Sequence, residues 1–142
     1  MSAPLPLFVY GTLRPGLRNH DRYLAGRCEL IRPAVLPDTA LHAGPGYPFA
    51  LPSPGARVIG ELLTIHPAAF PQVLAALDRL EDCRPDDTGL YVRRRLSVTV
   101  PGTPEPVVAW VYLAGPAAAA QLLAHPAPIP SGDWTDTRRG TS

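Results

Sequence analysis

Short apolar runs and alternating apolar and polar positions occupy most of the chain, and they predict more strands than helices. The run Leu7–Tyr10 is apolar, aromatic and β-branched, as in a buried strand, and it breaks at a Gly-Thr pair. The stretch Leu90–Val100 alternates, which predicts a strand with one apolar face. Val107–Leu113 is apolar on both faces, which predicts a central strand. A Pro-Gly turn between the last two predicts a hairpin.

Prolines and glycines divide the middle of the chain into shorter predicted strands. The run Cys28–Leu36 contains a proline, which cannot donate a sheet hydrogen bond, so we expect an edge strand or a bulge. A further short strand is predicted at Thr39–Leu41, and Phe49–Leu51 lies between two predicted turns. The stretch Arg57–Ile65 predicts a longer strand, and Gly60 inside it indicates a bulge or a close backbone approach.

The clearest helix is predicted from Pro67 to about Asp82. At about 100° per residue, Phe70, Leu74 and Leu77 fall on one apolar face of this helix. The same count places Glu81 roughly 20° from Phe70. A carboxylate is therefore expected on the buried face, in the last turn of the helix.

Two shorter helices complete the predicted fold. One begins near Asn19, a candidate N-cap, and runs to Leu24, and the other spans Pro116–Leu123. The order of elements predicts an α+β domain: a small mixed β-barrel, closed or nearly closed, flanked by short helices. We expect one domain over residues 1–142, with a core at about 7–115 and a proline-rich C-terminal tail at 116–142.

Composition excludes several classes of function. The 142 residues carry a formal net charge of +1 and contain no lysine, which excludes lysine Schiff bases and a P-loop and gives no reason to expect nucleic acid as a partner. The four histidines are scattered, and Cys28 and Cys83 have no metal-ligand spacing, so we expect neither metal nor cofactor. Without a membrane-length run or the pattern of a signal peptide, we expect a cytoplasmic protein.

The break after the first strand is a candidate anion site. Because Gly11 lacks a side chain, a ligand can approach its amide and those of Thr12 and Leu13, and successive amides can form a nest for a carboxylate or phosphate. Arg14 is expected to add a bidentate clamp on such a ligand. The alternative is a strand that simply ends in a tight turn.

Glu81 is the candidate catalytic group. A carboxyl group in an apolar pocket has a raised pKa and can act as a general base and then as a general acid near neutral pH. The alternative is a carboxylate at a helix end that is satisfied by Arg93, Arg95 or a backbone amide. The other three glutamates are expected at solvated or edge positions, and Cys83 has no nearby histidine that would make it a nucleophile.

Several short motifs occur along the chain in a fixed order. They are Tyr10-Gly11-Thr12-Leu13, Gly46-Tyr47-Pro48, Val58-Ile59-Gly60-Glu61-Leu62, Leu77-Asp78-x-x-Glu81, Tyr91-x-Arg93, Ala109-x-Val111-Tyr112 and Ser131-Gly132-Asp133-Trp134. Together they resemble the γ-glutamylcyclotransferase-like (AIG2-like) family, in particular its small bacterial members. The resemblance covers roughly residues 7–134.

The resemblance implies the family's mixed barrel and a cofactor-independent enzyme that converts a γ-glutamyl group to 5-oxoproline, with Glu81 as general acid/base. It implies that the loop amides hold the γ-glutamyl group and that nearby tyrosines line the pocket, where a hydroxyl of Tyr91 or Tyr112 could reach the substrate or Glu81. The implied substrate-binding residues, with the expected clamp, are Tyr10, Gly11, Thr12, Leu13, Arg14, Tyr47, Tyr91 and Tyr112.

One position departs from the family pattern, which commonly has glycine after the glutamate. Here Asp82 follows, and a second carboxylate there is expected either to raise the pKa of Glu81 further or to change the direction of the loop. Two other functions stay open: a non-catalytic domain that binds a small carboxylate, and a cyclotransferase that removes a γ-glutamyl group in a specialised biosynthetic pathway. The sequence identifies neither the leaving amine nor the oligomeric state.

Overall fold

The computed structural model describes residues 4–134, in which five strands and three short helices are present. They are β1 (Leu7–Val9), α1 (Arg18–Tyr23), β2 (Cys28–Ala43), β3 (Pro48–Ile65), α2 (Phe70–Leu80), β4 (Tyr91–Val98), β5 (Val107–Ala114) and α3 (Pro116–Ala124). Residues 1–3 and 135–142, at the two ends of the predicted domain, lie outside the described residues.

The strands form one mixed sheet in the order β2-β3-β1-β5-β4. Strand β1 is antiparallel to β3 and parallel to β5, and β4 and β5 form the predicted antiparallel hairpin. The two edges of the sheet meet at a single bridge, where the amides of Val35 and Thr99 each donate to the other's carbonyl oxygen at 2.9 and 2.8 Å. The predicted α+β class and the nearly closed barrel are confirmed.

The second and third strands are longer than predicted. The separate short strand expected at Thr39–Leu41 is wrong, because these residues belong to β2 and pair with Leu51 and its neighbours near the tip of one long β2–β3 hairpin. Strand β2 can contain prolines because it lies at the sheet edge, as expected, where a missing N–H group costs no ladder hydrogen bond. The register also shifts between Pro37 and Thr39. The close approach expected at Gly60 is confirmed, because a Cβ there would collide with the Val9 carbonyl oxygen.

The barrel encloses one apolar cluster, and the helices cover a second cluster on its outer face. Helix α2 buries Val73 and Leu77 completely, so its inner face follows the predicted periodicity with a small rotation. It begins at Phe70 rather than at Pro67, because the amides of Ala69 and Phe70 both turn back to the His66 carbonyl oxygen. Among the described residues, no helix has the length and apolarity to cross a membrane.

The proline-rich tail takes part in the core, contrary to the expected core boundary near residue 115. The third predicted helix is present as α3. Beyond it, Ile129 and Trp134 are buried in the barrel cluster. The Ile129 amide donates to the Leu41 carbonyl oxygen at 2.8 Å, and the Ile59 amide donates to the Gly132 carbonyl oxygen at 2.8 Å. The described tail therefore packs along the β2–β3 hairpin.

Candidate active site

A small cavity, here called the inner cavity, opens where β1 ends beside the C-terminal end of α2. It brings together seven of the predicted substrate-binding residues and the predicted catalytic glutamate. Phe8, Val9 and Pro48 also line the cavity. The pattern of apolar residues along β1 did not identify Phe8 or Val9 as lining residues, whereas Pro48 belongs to the Gly46-Tyr47-Pro48 motif. The full lining is Phe8, Val9, Tyr10, Gly11, Thr12, Leu13, Tyr47, Pro48, Glu81, Tyr91 and Tyr112.

The loop after β1 presents three consecutive backbone amides that no protein group accepts. Within residues 4–134, the amides of Gly11, Thr12 and Leu13 donate no hydrogen bond. The carbonyl oxygens of this loop are engaged, because Gly11 accepts from the Arg14 amide and Thr12 accepts from the Asn19 amide, each at 3.0 Å. Leu13 is buried, and Gly11 and Thr12 are half-buried. Since amides shielded from water are nearly always paired, three unpaired donors beside a cavity support an anion site.

The Pro48 ring leaves no room for a side chain at position 11. A Cβ at Gly11 would lie 2.9 Å from both Cγ and Cδ of Pro48, and both residues line the inner cavity. Any larger residue would therefore push the Pro48 ring away from the loop. The short distance between these two segments sets the width of the site.

Glu81 is the C-cap residue of α2 and follows Leu77 by one turn. Burial raises the pKa of its carboxyl group to about 7. The negative end of the helix dipole also disfavours the ionised form. Within the described part of the chain, no hydrogen bond or ion pair engages this side chain, so the alternative of a carboxylate satisfied by an arginine is wrong: Arg93 pairs with Asp78, and Arg95 lies over the ring of Trp110.

Four tyrosines line the cavity, and in three of them the phenol donates to a group other than Glu81. The Tyr10 hydroxyl donates to the Tyr112 carbonyl oxygen, and the Tyr91 hydroxyl donates to the Pro48 carbonyl oxygen at 2.6 Å. The Tyr112 hydroxyl donates to Asp78 Oδ1 at 2.7 Å. Burial raises the pKa of all three. Neither the Tyr91 nor the Tyr112 hydroxyl forms a hydrogen bond with Glu81 among the described residues, and both oxygens keep lone pairs that can accept from a ligand.

Arg14 does not line the cavity, so its expected role as a ligand clamp is wrong. Its Nε and Nη2 donate to the two carboxylate oxygens of Glu61 at 2.7 and 2.9 Å, and its Nη1 donates to Asp133 Oδ1 at 2.8 Å. Arg14 is buried, and Glu61 is part of this network rather than solvated. The network joins the loop, β3 and the tail, which lie too far apart in sequence for periodicity to pair them.

Asp78 is a site residue that the sequence reasoning missed. It accepts the Tyr112 hydroxyl and a bidentate pair from Arg93, whose Nε and Nη2 lie 2.9 and 3.1 Å from the two carboxylate oxygens. Asp78 precedes Glu81 by three residues, so the network fixes the helix end that carries the glutamate. Its position in the Leu77-Asp78-x-x-Glu81 motif is the sequence feature that could have identified Asp78 as a site residue.

Asp82 occupies a left-handed backbone conformation, with φ of 50°. Glycine adopts this conformation without strain, and aspartate is among the residues that tolerate it. Its carboxylate accepts from Arg84 Nε at 3.0 Å and from the Leu90 amide at 3.1 Å, and the Arg84 bond lowers its pKa. Asp82 therefore holds the following loop and does not raise the pKa of Glu81, whose shift comes from burial.

The inner cavity thus combines anion-binding amides, apolar and aromatic walls and one titratable carboxyl group. Such a set can bind a carboxylate-bearing ligand and move a proton on it. Among residues 4–134, no group of three His, Cys, Asp or Glu side chains is arranged to hold a metal ion. Cys28 and Cys83 are both free thiols.

Comparisons with known proteins agree on one family. The family model described as "Gamma-glutamyl cyclotransferase, AIG2-like" matches residues 7–136. A γ-glutamylaminecyclotransferase from Bos taurus is 34% identical over 116 residues, which cover 75% of this chain and 64% of the bovine protein. The chain thus spans less than two thirds of that relative.

Solved structures show the same fold. The crystal structure of an AIG2-like protein from Mus musculus has a TM-score of 0.62 and 29% identity, covering 83% of this chain and 84% of that chain. An uncharacterized protein from Pyrococcus horikoshii has a TM-score of 0.65 at 20% identity and covers 97% and 96% of the two chains.

Proposed function

The chain belongs to the AIG2-like γ-glutamyl cyclotransferase family, and we propose that it cyclises the γ-glutamyl group of an amine or peptide to 5-oxoproline and releases the free amine. The observation that carries the proposal is the meeting of an unpaired Glu81 carboxyl group and three free loop amides in one cavity. The bovine relative's name, which specifies γ-glutamylamines, supports the same reaction class.

The γ-glutamyl α-carboxylate binds to the amides of Gly11, Thr12 and Leu13. Three amide donors are a strong set for an anion, since hydrogen bonds to a charged acceptor are about twice as strong as neutral ones. This placement leaves the α-ammonium and the γ-carbonyl inside the cavity, among the tyrosine walls. The oxygens of Tyr91 and Tyr112 have already donated their protons and can accept from the ammonium.

Glu81 then acts as the base and the acid in turn. Its carboxylate takes a proton from the α-ammonium, and the neutral amine attacks the γ-carbonyl carbon to form the C–N bond of a five-membered lactam. The bond from that carbon to the leaving nitrogen breaks as the Glu81 carboxyl group gives its proton to that nitrogen. The lactam nitrogen then loses its second proton to the released amine, which leaves as an ammonium ion. A pKa of about 7 suits both steps near neutral pH.

The reaction needs no cofactor in this account, because the nucleophile belongs to the substrate. Holding the γ-glutamyl chain in the folded conformer supplies much of the rate by proximity. The rigid wall formed by Gly11 and Pro48 is suited to select that conformer. Proton transfer by Glu81 adds about 10²- to 10⁴-fold.

The test is release of 5-oxoproline from a panel of γ-glutamyl amines and dipeptides, followed by mass spectrometry. We expect product with the wild-type chain and a loss of at least about 10²-fold with E81Q. E105Q is the matched control, because Glu105 is exposed in the turn between β4 and β5. Binding of glutamate without any turnover would favour the non-catalytic carboxylate-binding domain instead.

A further inference from the structure

A second cavity adjoins the inner cavity and is here called the outer cavity. The two share Thr12, Tyr47, Glu81 and Tyr91, so Glu81 lies at the boundary between them. Four other residues line only the outer cavity: Arg18, Asn19, Leu80 and Leu90. The sequence reasoning assigned none of these four to the site.

Arg18 is the basic residue in the lining of these two cavities. Its exposed guanidinium makes one hydrogen bond, from Nη2 to the Gly46 carbonyl oxygen at 3.1 Å. Within residues 4–134 no carboxylate pairs with it, although six other ion pairs are present there. A guanidinium has five N–H donors, so most of its donors and its full charge remain available.

The position of Arg18 is coupled to the loop that holds the γ-glutamyl group. The side-chain amide of the neighbouring Asn19 donates to Thr12 Oγ1 at 2.8 Å. The backbone amide of Asn19 donates to the Thr12 carbonyl oxygen at 3.0 Å. The bond from Arg18 to Gly46 connects α1 to the segment that carries Tyr47 and Pro48. These contacts hold the first turn of α1 against both walls of the site.

The chemistry of the reaction assigns an occupant to each cavity. Glu81 must reach the α-ammonium in the first step and the leaving nitrogen in the second. Glu81 borders both cavities, so with the γ-glutamyl group in the inner cavity the outer cavity is the adjoining space that Glu81 also reaches. Whatever substituent the amine carries then lies beside the Arg18 guanidinium.

We propose that the outer cavity receives the leaving amine and that Arg18 binds a carboxylate on it. This rests on the function proposed above. The chain would thus prefer γ-glutamyl derivatives of amino acids or peptides, whose leaving amine bears a carboxylate, over those of neutral or cationic amines. Arg18 is a specificity-determining residue in this account and takes no part in proton transfer.

The expected effect is moderate, because the guanidinium is exposed. An exposed pair is weakened by solvent and salt, whereas a guanidinium–carboxylate pair gains from its charge-assisted, bidentate geometry. We expect a preference of about three- to tenfold in kcat/KM for a carboxylate-bearing leaving group. The preference should decrease as the ionic strength rises.

The experiment compares γ-glutamylalanine, γ-glutamylalaninamide and γ-glutamylethylamine, with release of 5-oxoproline as the readout. The proteins are the wild-type chain, R18Q and R22Q. Arg22 is exposed on the same helix and lines neither cavity, so R22Q is the matched control. We expect R18Q to lose activity on γ-glutamylalanine alone and so to abolish the preference, while R22Q keeps it.

A fourth substrate, the ε-(γ-glutamyl) derivative of lysine, locates the carboxylate. If R18Q lowers kcat/KM for this compound as well, Arg18 reaches a carboxylate far from the scissile bond; a loss on γ-glutamylalanine alone places it close to that bond. Equal effects of R18Q on acid and amide would overturn the subsite while leaving the cyclotransferase function intact. Absence of 5-oxoproline from every substrate with the wild-type chain would overturn both.

Discussion

The Tyr112 hydroxyl donates to Asp78 Oδ1 at 2.7 Å, and this bond joins the wall of the inner cavity to the helix that ends at Glu81. The same Asp78 carboxylate accepts two hydrogen bonds from Arg93. Strand β5, strand β4 and helix α2 are thereby fixed to one another one turn before Glu81. The position of the Glu81 carboxyl group depends on this contact rather than on any bond of its own.

Asp78→Asn should lower activity by disturbing Glu81. Asparagine cannot replace the charge and both acceptor oxygens that Arg93 and Tyr112 use, and we expect kcat/KM to fall about tenfold with a stability loss of about 1–3 kcal/mol. If Asp78 acts through Tyr112, Y112F should cause a similar loss, and the double variant D78N/Y112F should lose little more than either single variant. Fully additive losses in kcat/KM would contradict the account.

The control for Asp78→Asn is Asp87→Asn. Asp87 forms a similar bidentate pair with Arg94 on the surface, where both side chains are nearly half exposed. Because solvent and salt weaken an exposed pair of this kind, D87N should leave both activity and stability nearly unchanged. Parallel denaturant unfolding of the two variants separates the effect on the site from the general effect of losing an ion pair.

Arg14→Met should act on stability more than on substrate binding. It removes the bidentate partner of Glu61 from a mostly buried network, and we expect a loss on the order of 3 kcal/mol. Pairing it with Glu61→Met should restore part of that loss, because the partly buried carboxylate is then also gone. A large rise in KM for the γ-glutamyl substrate with unchanged urea unfolding would instead identify Arg14 as a ligand clamp.

Asp82→Gly should be more stable than Asp82→Ala by about 1 kcal/mol. Both variants lose the bonds to Arg84 and Leu90, but only glycine adopts the positive φ of this position without strain. Comparing the urea midpoints of the two variants isolates the backbone contribution. An alanine variant as stable as the glycine variant would show that the loop relaxes to another conformation.

Glu81→Gln should change the pH dependence of stability. Burial raises the pKa of Glu81 to about 7 in the folded chain, so the proton binds more tightly to the folded state than to the unfolded one. The stability that follows is complete below the unfolded pKa of about 4.3 and is lost as the pH rises through about 7. Glutamine does not titrate.

Relative to E81Q, the wild-type chain should therefore lose on the order of 2–3 kcal/mol of unfolding free energy between about pH 4.5 and pH 8. Urea unfolding of both proteins across this range measures the difference. Parallel pH curves for the two would mean that the Glu81 carboxyl group is not desolvated.

The local features of the site were predictable from the sequence, because they depend on spacing along the chain. The count at 100° per residue placed Glu81 on the face that Val73 and Leu77 bury. The break after β1 predicts a loop with accessible amides. The structure has a loop there, and the amides of Gly11, Thr12 and Leu13 donate no hydrogen bond within residues 4–134. Periodicity also identified the β4–β5 hairpin and α3.

The contacts between distant segments were not predictable in this way. The partners of Arg14 lie on β3 and in the tail, and those of Asp78 lie on β4 and β5. An arginine beside an anion nest is equally consistent with a ligand clamp and with a structural ion pair, and only the tertiary arrangement decides between them. The proline-containing β2 was likewise divided into pieces, because its register shift at Pro37 has no periodic signature.

The most direct test of the central claim is the pH dependence of kcat/KM for 5-oxoproline release, measured for the wild-type chain and for E81Q. If Glu81 is the general base, with a pKa of about 7, the wild-type rate should fall about tenfold per pH unit below about pH 7. E81Q should be lower by at least about 10²-fold and should show no such limb. An E81Q variant that keeps wild-type activity, or that keeps the same acid limb, would contradict the assignment of Glu81.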